Sequence, residues 1–273
     1  VYVTFRVLDI ADLTVEGSFP LGAAAAASLL AAGYGPLAAV AAAAAAGMLA
    51  GVITGILHTK MKIPALLAGI LTMIALYSVN LRIMGKANLS LLGVDTTFSL
   101  ARDILGLSSA ETTFVVGLAA TVLIGLFLYW FFGTEIGAAI RATGFNQQMI
   151  RAQGVDTNVT IILGLLLSNA LVAISGALVA QSNGFADVGM GTGTIVIGLA
   201  SVIIGEVLFG TRSFKNCMIS VILGSIVYRI VIALVLQMGM PPNDLKLFTS
   251  VLVAFALSMP LLKNKVSARK AVR

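Results

Sequence analysis

Six apolar segments of about bilayer length constrain this sequence more than any other feature. A helix that spans a bilayer needs about 20 mainly apolar residues. In this chain of 273 residues, 59% are hydrophobic and only 10% are charged, whereas a soluble domain carries charge on roughly a quarter of its residues. The sequence therefore predicts an all-α polytopic membrane protein. The predicted spans are residues 36–57, 64–84, 112–132, 159–180, 217–238 and 247–262.

Two further apolar segments, residues 20–32 and 194–209, are too short to cross a bilayer easily. With the six long segments they give roughly eight transmembrane or partly spanning helices. Residues 1–8 are also apolar but are soon followed by acidic residues, so we interpret them as a truncated first helix. All of these segments are assigned to a single transmembrane domain over residues 1–273.

Basic residues in the connecting loops predict the orientation, because short loops rich in lysine and arginine stay in the cytoplasm. If the spans alternate, most basic residues fall on one side, which is then the cytoplasmic side and includes the C-terminus. Residues 88–110, 183–193 and 239–244 become external loops. The net charge of +6 is then explained by the basic cytoplasmic loops and by a basic tail that lies against an anionic leaflet. It does not require a nucleic-acid partner. The cytoplasmic basic residues are Lys60, Lys62, Arg141, Arg151, Arg212, Lys215, Lys263, Lys265, Arg269, Lys270 and Arg273.

Catalytic and cofactor chemistry has few candidate residues in this chain. One histidine, His58, and one cysteine, Cys217, exclude a His/Cys metal cluster and a Cys/His nucleophilic pair. The sequence contains no glycine-rich phosphate loop that ends in Lys-Ser or Lys-Thr. We therefore expect no catalytic residue, no metal and no cofactor in this chain, and we favour transport.

Polar residues at membrane depth are the candidates for a translocation path, because one charge at a helix centre costs about 2.5–3.5 kcal/mol on insertion scales. Residues 9–20 combine three acids, hydroxyls, Gly17 and Pro20, and this pattern is typical of a broken helix. The segment either lines the path or forms a loop at the interface. Asn169 could equally hydrogen-bond between helices. The candidate path residues are Asp12, Thr14, Glu16, Ser18, Ser168 and Asn169.

A long polar run, residues 133–156, separates two apolar spans and must lie in water. Ile136, Ala139, Ile140 and Thr143 form a weakly apolar stripe at helical spacing, so a short helix here could enter the groove of a partner protein. We expect a glycine to break this helix and a second glycine to end it. The alternative is an ordinary connecting loop. The candidate contact residues are Glu135, Arg141, Gly144, Asn146, Arg151 and Gly154, of which Gly144 is the expected break and Gly154 the expected end.

Small residues recur at every fourth position in the first long span, at Gly47, Gly51 and Gly55. Inside a bilayer, helices associate through close packing and not through exclusion of water. The sequence therefore predicts a small-residue packing face on this helix.

Two motifs carry a family resemblance. The run Asp12-Leu13-Thr14-Val15-Glu16-Gly17-Ser18, followed by Leu21-Gly22-Ala23, resembles a region of permease subunits in bacterial ribose-type and branched-chain amino-acid ABC importers. Residues 141–144 and 151–156 are similar to the cytoplasmic coupling segment of those permeases. The resemblance covers nearly the whole chain and is strongest to the subgroup associated with tryptophan and tyrosine. Glu16 and Glu206 depart from the family pattern and argue against sugar recognition.

The resemblance implies the partners. Two permease chains would form a central path in the bacterial inner membrane, with ATPase subunits that bind ATP and Mg²⁺ docked at residues 133–156. An extracytoplasmic binding protein would deliver a small solute, for which we expect an amino acid and, more narrowly, an aromatic one.

Other classes of membrane protein remain open at this point. An ion-coupled secondary transporter would use Asp9, Asp12, Glu16 and Arg229 as coupling charges and would work without an ATPase. A passive channel would conduct without nucleotide, and a membrane scaffold would show no flux.

Overall fold

The computed structural model describes residues 1–211, 213–239, 244, 247–251 and 254. This part of the chain is mainly helical and contains 6 helical segments that are long and apolar enough to cross a membrane. The prediction of an all-α polytopic membrane protein is confirmed. The helices are α1 (Val15–Ala31), α2 (Pro36–Thr59), α3 (Ala65–Met84), α4 (Thr97–Leu105), α5 (Ser109–Gly133), α6 (Glu135–Phe145), α7 (Gln147–Ala152), α8 (Thr157–Asn183), α9 (Thr194–Phe209) and α10 (Phe214–Gln237).

Five of the predicted spans correspond closely to α2, α3, α5, α8 and α10. The segment that we considered too short, 194–209, forms α9, but the candidate span there is Val188–Phe209, of 22 residues. The 3₁₀ helix Val188–Gly191 supplies the missing length. The predicted span 247–262, Arg212 and the basic tail from residue 263 lie wholly or largely outside the described residues.

The described chain divides into two compact units. The first consists of Val1 and Val3–Thr194, and within it α1, α2 and α8 pack together while α3 packs on α1. The second consists of Tyr2 and the described residues from Ile195 onward. In the second unit, Gly205 of α9 lies against the backbone of Ser220 in α10. That residues 1–273 form a single domain stays a prediction.

Small residues allow the helices of the first unit to approach closely. A side chain at Gly47 or Gly51 of α2 would overlap backbone atoms of Asn169 or Leu165 in α8. The alanine-rich α1 contributes Ala23 and Ala27, which are fully buried. The predicted packing face on α2 is confirmed, and it is directed at α8.

The break before α1 lies earlier than the sequence indicated. A short π-helix, Val3–Val7, ends before Asp9, whose φ is +54°, and α1 then continues through Gly17 and Pro20. Because Pro20 has no N–H, the carbonyl of Glu16 loses its usual helical donor. That carbonyl packs against Gly191, where any side chain would overlap it. The absence of a side chain at Gly191 therefore leaves room for the Glu16 carbonyl, which has no helical donor.

Two three-residue strands, which the sequence analysis did not predict, join the loops that follow α3 and α8. Strand β1 (Asn88–Ser90) pairs antiparallel with β2 (Phe185–Asp187), with Leu89 opposite Ala186. Hydrogen bonds from Leu91 N to Gly184 O, at 2.8 Å, and from Val188 N to Ala87 O, at 3.1 Å, extend the pairing. The ladder therefore holds the two loops together over the end of α1, where Ala186 packs among the buried alanines.

Candidate functional site

Asp12 lies in the break between the π-helix and α1, and its side chain is only 3% exposed. Its Oδ1 accepts a hydrogen bond from the backbone N–H of Thr14 at 2.9 Å, just before the first residue of α1. A carboxylate at a helix N-terminus is stabilised by the unsatisfied N–H groups there and by the helix dipole. The local sequence Asp-Leu-Thr thus places a buried acid where α1 begins.

Asn169, in the middle of α8, donates a hydrogen bond to the other carboxylate oxygen of Asp12. Its Nδ2 donates to Asp12 Oδ2 at 2.9 Å and to Leu165 O at 3.0 Å, and its Oδ1 accepts from Ser18 Oγ at 2.7 Å. Both amide hydrogens and the amide oxygen are therefore engaged. The opposite amide orientation would set an oxygen against the Asp12 carboxylate, so these contacts also determine which way the amide points.

A second chain of hydrogen bonds runs through three buried threonines, which are Thr14 just before α1, Thr54 in α2 and Thr72 in α3. The hydroxyls of Thr14 and Thr54 are 2.8 Å apart, and Thr54 Oγ1 lies 2.9 Å from Thr72 Oγ1. Thr72 in turn bonds to Ala68 O at 3.0 Å. Thr54 Oγ1 also lies 3.1 Å from Ala50 O, and each hydroxyl has one hydrogen to donate, so the Thr54 hydrogen is shared between Thr72 Oγ1 and the Ala50 carbonyl. This chain attaches the start of α1 to two neighbouring helices.

Replacing Thr54 with valine is expected to lower the free energy of unfolding by about 1–3 kcal/mol, because the buried Thr14 hydroxyl loses its partner. The measurement is thermal unfolding of the purified chain in detergent. Thr121→Val is the matched control, since its exposed hydroxyl bonds to Gly117 O of its own helix and to no other described residue. An equal change in both variants would contradict a connecting role for Thr54.

A cavity of about 350 Å³ lies between α1, α3 and residues 188–192. Ligand cavities in proteins have volumes of roughly 300–1,000 Å³, so this one suits a small solute. Glu16 lines it and is anchored on one side, where Oε1 accepts from Gly193 N at 3.1 Å. The lining residues are Glu16, Gly17, Pro20, Met73, Ile74, Tyr77, Ser78, Asn80, Val188, Gly189 and Thr192.

Of the six residues predicted to line a path, Glu16 lines this cavity. Asp12, Thr14, Ser18 and Asn169 are buried in the two hydrogen-bond systems described above. Ser168 is 1% exposed, and its hydroxyl has no partner within the described residues. Direct contact of any of the six with solute stays a prediction.

The α3 side of the cavity, which includes Tyr77 and Asn80, was not predicted from the sequence. A signal for Asn80 was present in the sequence, because an asparagine inside an apolar span needs a hydrogen-bonding partner or a cavity.

The polar segment 133–156 forms two short helices, each with a side-chain cap. Thr134 Oγ1 accepts from Gly137 N at the start of α6, and Asn146 Oδ1 accepts from Met149 N at the start of α7. The predicted break at Gly144 is wrong, since α6 continues to Phe145 and the break falls at Asn146. Gly154, with φ of +86°, follows the end of α7 as predicted.

Contrary to the prediction, Gly144 does not break α6 but packs against the chain at Val7 and Leu8. A side chain at this position would overlap the carbonyl oxygen of Val7 and come within 2.8 Å of Leu8 Cα. Next to it, the Thr143 hydroxyl lies 2.8 Å from that of Thr160 in α8. The inner face of α6 is thus packed against both the π-helix and α8.

The outer face of this segment is exposed and mixes apolar and polar groups. Phe145 is 90% exposed, Ile136 54% and Met149 45%. Ile136 therefore does not share the buried stripe of Ile140 and Thr143, contrary to the sequence prediction. Arg151 Nε donates to Thr157 Oγ1 at 2.6 Å, which directs this side chain back towards α8. The exposed polar residues among the predicted contacts are Glu135, Arg141, Asn146 and Arg151.

Comparison with known proteins gives consistent matches. The chain matches the family model described as branched-chain amino acid transport system / permease component over residues 1–257. It is 40% identical over 253 residues to the tyrosine transport system permease protein of Clostridioides difficile, covering 93% of this chain and 83% of that protein. An uncharacterized protein of Rickettsia prowazekii is 34% identical over 266 residues, covering 94% and 90%.

A more distant relative is the ribose import permease protein of Escherichia coli, 27% identical over 168 residues, which cover 60% of this chain and 51% of that protein. No solved structure gives a significant match.

Proposed function

This chain belongs to the family of branched-chain amino acid transport system permease components, and on that basis we propose that a separate ATPase drives it as part of a bacterial ABC importer. The chain itself is a multi-pass membrane permease that forms a translocation path for a small solute. Membership of this family separates it from the ion-coupled secondary transporters considered above. The remaining parts of the proposal concern its partners, its orientation and its solute.

The proposed complex contains two copies of this chain in the inner membrane, ATPase subunits that bind ATP and Mg²⁺, and an extracytoplasmic binding protein. The segment 133–156 and the C-terminus would be cytoplasmic, and the loops joined by β1 and β2 would be external. An amino acid is the proposed solute, and an aromatic one is the narrower proposal. The similarity to a protein named for tyrosine transport supports this choice.

The exposed apolar residues of the segment 133–156 are the observation that carries the ATPase proposal. We call Ile136, Phe145 and Met149 the coupling surface. Phe145 stands at the junction of α6 and α7 and is almost fully exposed. Aromatic side chains that fill a pocket in a partner commonly supply a large share of binding energy. A partner groove that received Phe145 would hold both short helices at once.

The contacts behind the coupling surface supply a route for movement. Gly144 sits against Val7 of the π-helix, and Thr143 bonds to Thr160 of α8. A displacement of α6 by the ATPase would therefore press on the π-helix, which precedes the break at Asp12, and on α8, whose Asn169 bonds to Asp12. Packed elements of this kind shift as rigid pieces, since close-packed interiors do not deform continuously.

The test is capture of the tagged chain from native membranes in mild detergent, followed by identification of the retained subunits. We expect Phe145→Asp to reduce retained ATPase by at least about tenfold, because a charge replaces an apolar anchor. Leu92→Asp is the matched control, since Leu92 is 88% exposed and lies in a proposed external loop. Retention of ATPase by the Phe145 variant, or equal loss in both variants, would refute the assignment of the coupling surface.

A further inference from the structure

The cavity between α1, α3 and residues 188–192 has an uneven distribution of hydrogen-bonding groups. Its lining residues include the apolar Met73, Ile74 and Val188 together with the acidic Glu16 and the amide residue Asn80. Among the described residues, its lining contains no lysine, arginine or histidine. A solute held here would meet apolar side chains, the hydroxyl residues Tyr77, Ser78 and Thr192, and a single acidic residue, Glu16.

Asn80 is fully buried, yet it makes only one hydrogen bond. Its Nδ2 donates to Gly17 O at 3.4 Å, whereas Oδ1 has no partner among the described residues. Reversing the amide would bring its oxygen towards the Gly17 carbonyl, an unfavourable contact, so the free atom is the acceptor. A buried acceptor without a donor costs about 1–3 kcal/mol. The oxygen has almost no accessible surface, so a donor group on a bound solute would reach it only after the side chain turns towards the cavity.

Glu16 presents the second incompletely bonded acceptor. Oε1 accepts from Gly193 N, and no hydrogen bond reaches Oε2 from any residue in the described part of the chain. The side chain is half-buried and shares the cavity lining with Pro20 and Tyr77. A carboxylate in such a place gains most from a cation, because hydrogen bonds to charged groups are roughly twice as strong as neutral ones.

We propose that this cavity binds the ammonium group of the transported solute, with Glu16 as its ionic partner and Asn80 Oδ1 as a second acceptor once the Asn80 side chain turns towards the cavity. The solute class is a primary amine with an apolar body, which lies along Met73 and Ile74. This inference rests on the proposed transport function, and it assigns Glu16 a role in solute selection. Carboxylate recognition is not part of this proposal, since no described residue of the lining is cationic.

Charge-selective labelling of a thiol inside the cavity tests the site without any need for transport. Ser78 lines the cavity and is exposed, so Ser78→Cys in a Cys217→Ser background provides one reporter thiol. The probes are the cationic aminoethyl and the anionic sulfonatoethyl methanethiosulfonates. We expect Glu16→Gln to lower the ratio of cationic to anionic labelling rates by about tenfold. The glutamine carbonyl can still accept from Gly193 N, so the fold is preserved.

Asp95→Asn is the matched control, because it removes one exposed acid elsewhere in the chain. It should leave the labelling ratio unchanged. An unchanged ratio in the Glu16 variant, or an equal fall in the control, would overturn the inference.

Uptake measurements then separate this inference from the proposed function. Proteoliposomes that contain the unaltered chain, its ATPase and its binding protein should take up tyrosine. The Glu16→Gln variant should reduce this uptake by about tenfold. Hydroxyphenylpropionate, which lacks the amino group, should not compete. Absence of ATP-driven uptake by the unaltered chain would refute the proposed function for this solute, while the labelling ratio would still report on the cavity. Full uptake by the Glu16 variant would refute the site alone.

Discussion

Asn169→Asp is expected to abolish accumulation of folded protein, and adding Asp12→Asn is expected to restore most of it. In the native protein, the Asn169 amide N–H donates to Asp12 Oδ2 at 2.9 Å. The single variant places a second carboxylate at that position, where it repels Asp12. An uncompensated buried charge destabilises a protein by about 3–5 kcal/mol, which is a large part of a typical total stability of about 5–15 kcal/mol.

The double variant exchanges the two groups and rebuilds most of the contacts. Asn at position 12 can accept from Thr14 N and donate to the new carboxylate, whose second oxygen can accept from Ser18 Oγ. Only the hydrogen bond to Leu165 O is lost. The measurement is the monodisperse fraction after detergent extraction, together with the thermal unfolding midpoint.

Asn158→Asp is the matched control for the charge change, because Asn158 lies exposed in the first turn of α8. An acid in the first turn of a helix is tolerated or mildly stabilising. If the double variant is no more stable than Asn169→Asp alone, the Asp12–Asn169 pair does not hold the break in place.

Gly144→Ala is expected to lower ATP-driven uptake by at least about tenfold while the chain still inserts in the membrane. The added methyl group overlaps the carbonyl of Val7, so α6 must move away from the π-helix. Overpacking of this kind typically costs 1–3 kcal/mol, and each 1.4 kcal/mol corresponds to a factor of ten in an equilibrium. ATP hydrolysis should continue, because the coupling surface on the outer face is unchanged.

Gly133→Ala makes the same chemical change at the end of α5, where an added side chain would meet nothing within 4 Å. It should retain full uptake. The readouts are uptake and ATP hydrolysis in the same proteoliposomes. Normal uptake by the Gly144 variant would show that contact with the π-helix is not needed for coupling.

The long helices were predictable because the bilayer sets both their length and their composition. The run 159–180, for example, has no charged residue and becomes α8, Thr157–Asn183. The short helices were harder to place. Gly144 was interpreted as a helix breaker from its residue type alone, whereas its role depends on Val7, which is remote in sequence. Only tertiary packing could reveal that contact.

The buried polar residues show a different limit of prediction from sequence. Asp12 and Asn169 stand out in apolar surroundings, and the sequence correctly marks them as unusual. A single sequence cannot distinguish polar side chains that bond to one another from those that meet a solute, since either arrangement satisfies a buried polar group. In the fold, Asp12 and Asn169 bond to each other, while Glu16 reaches a cavity whose other wall includes the unpredicted Asn80.

The pairing of β1 with β2 ties the lengths of two distant loops to each other. Inserting one residue within Asn88–Ser90 would shift the register by one position and turn Leu89 to the opposite face. Neither loop can therefore be lengthened at the ladder without a matching change in the other. Tags and fluorescent reporters are better inserted after Gly106, which follows α4 with φ of +64° and has open space around it.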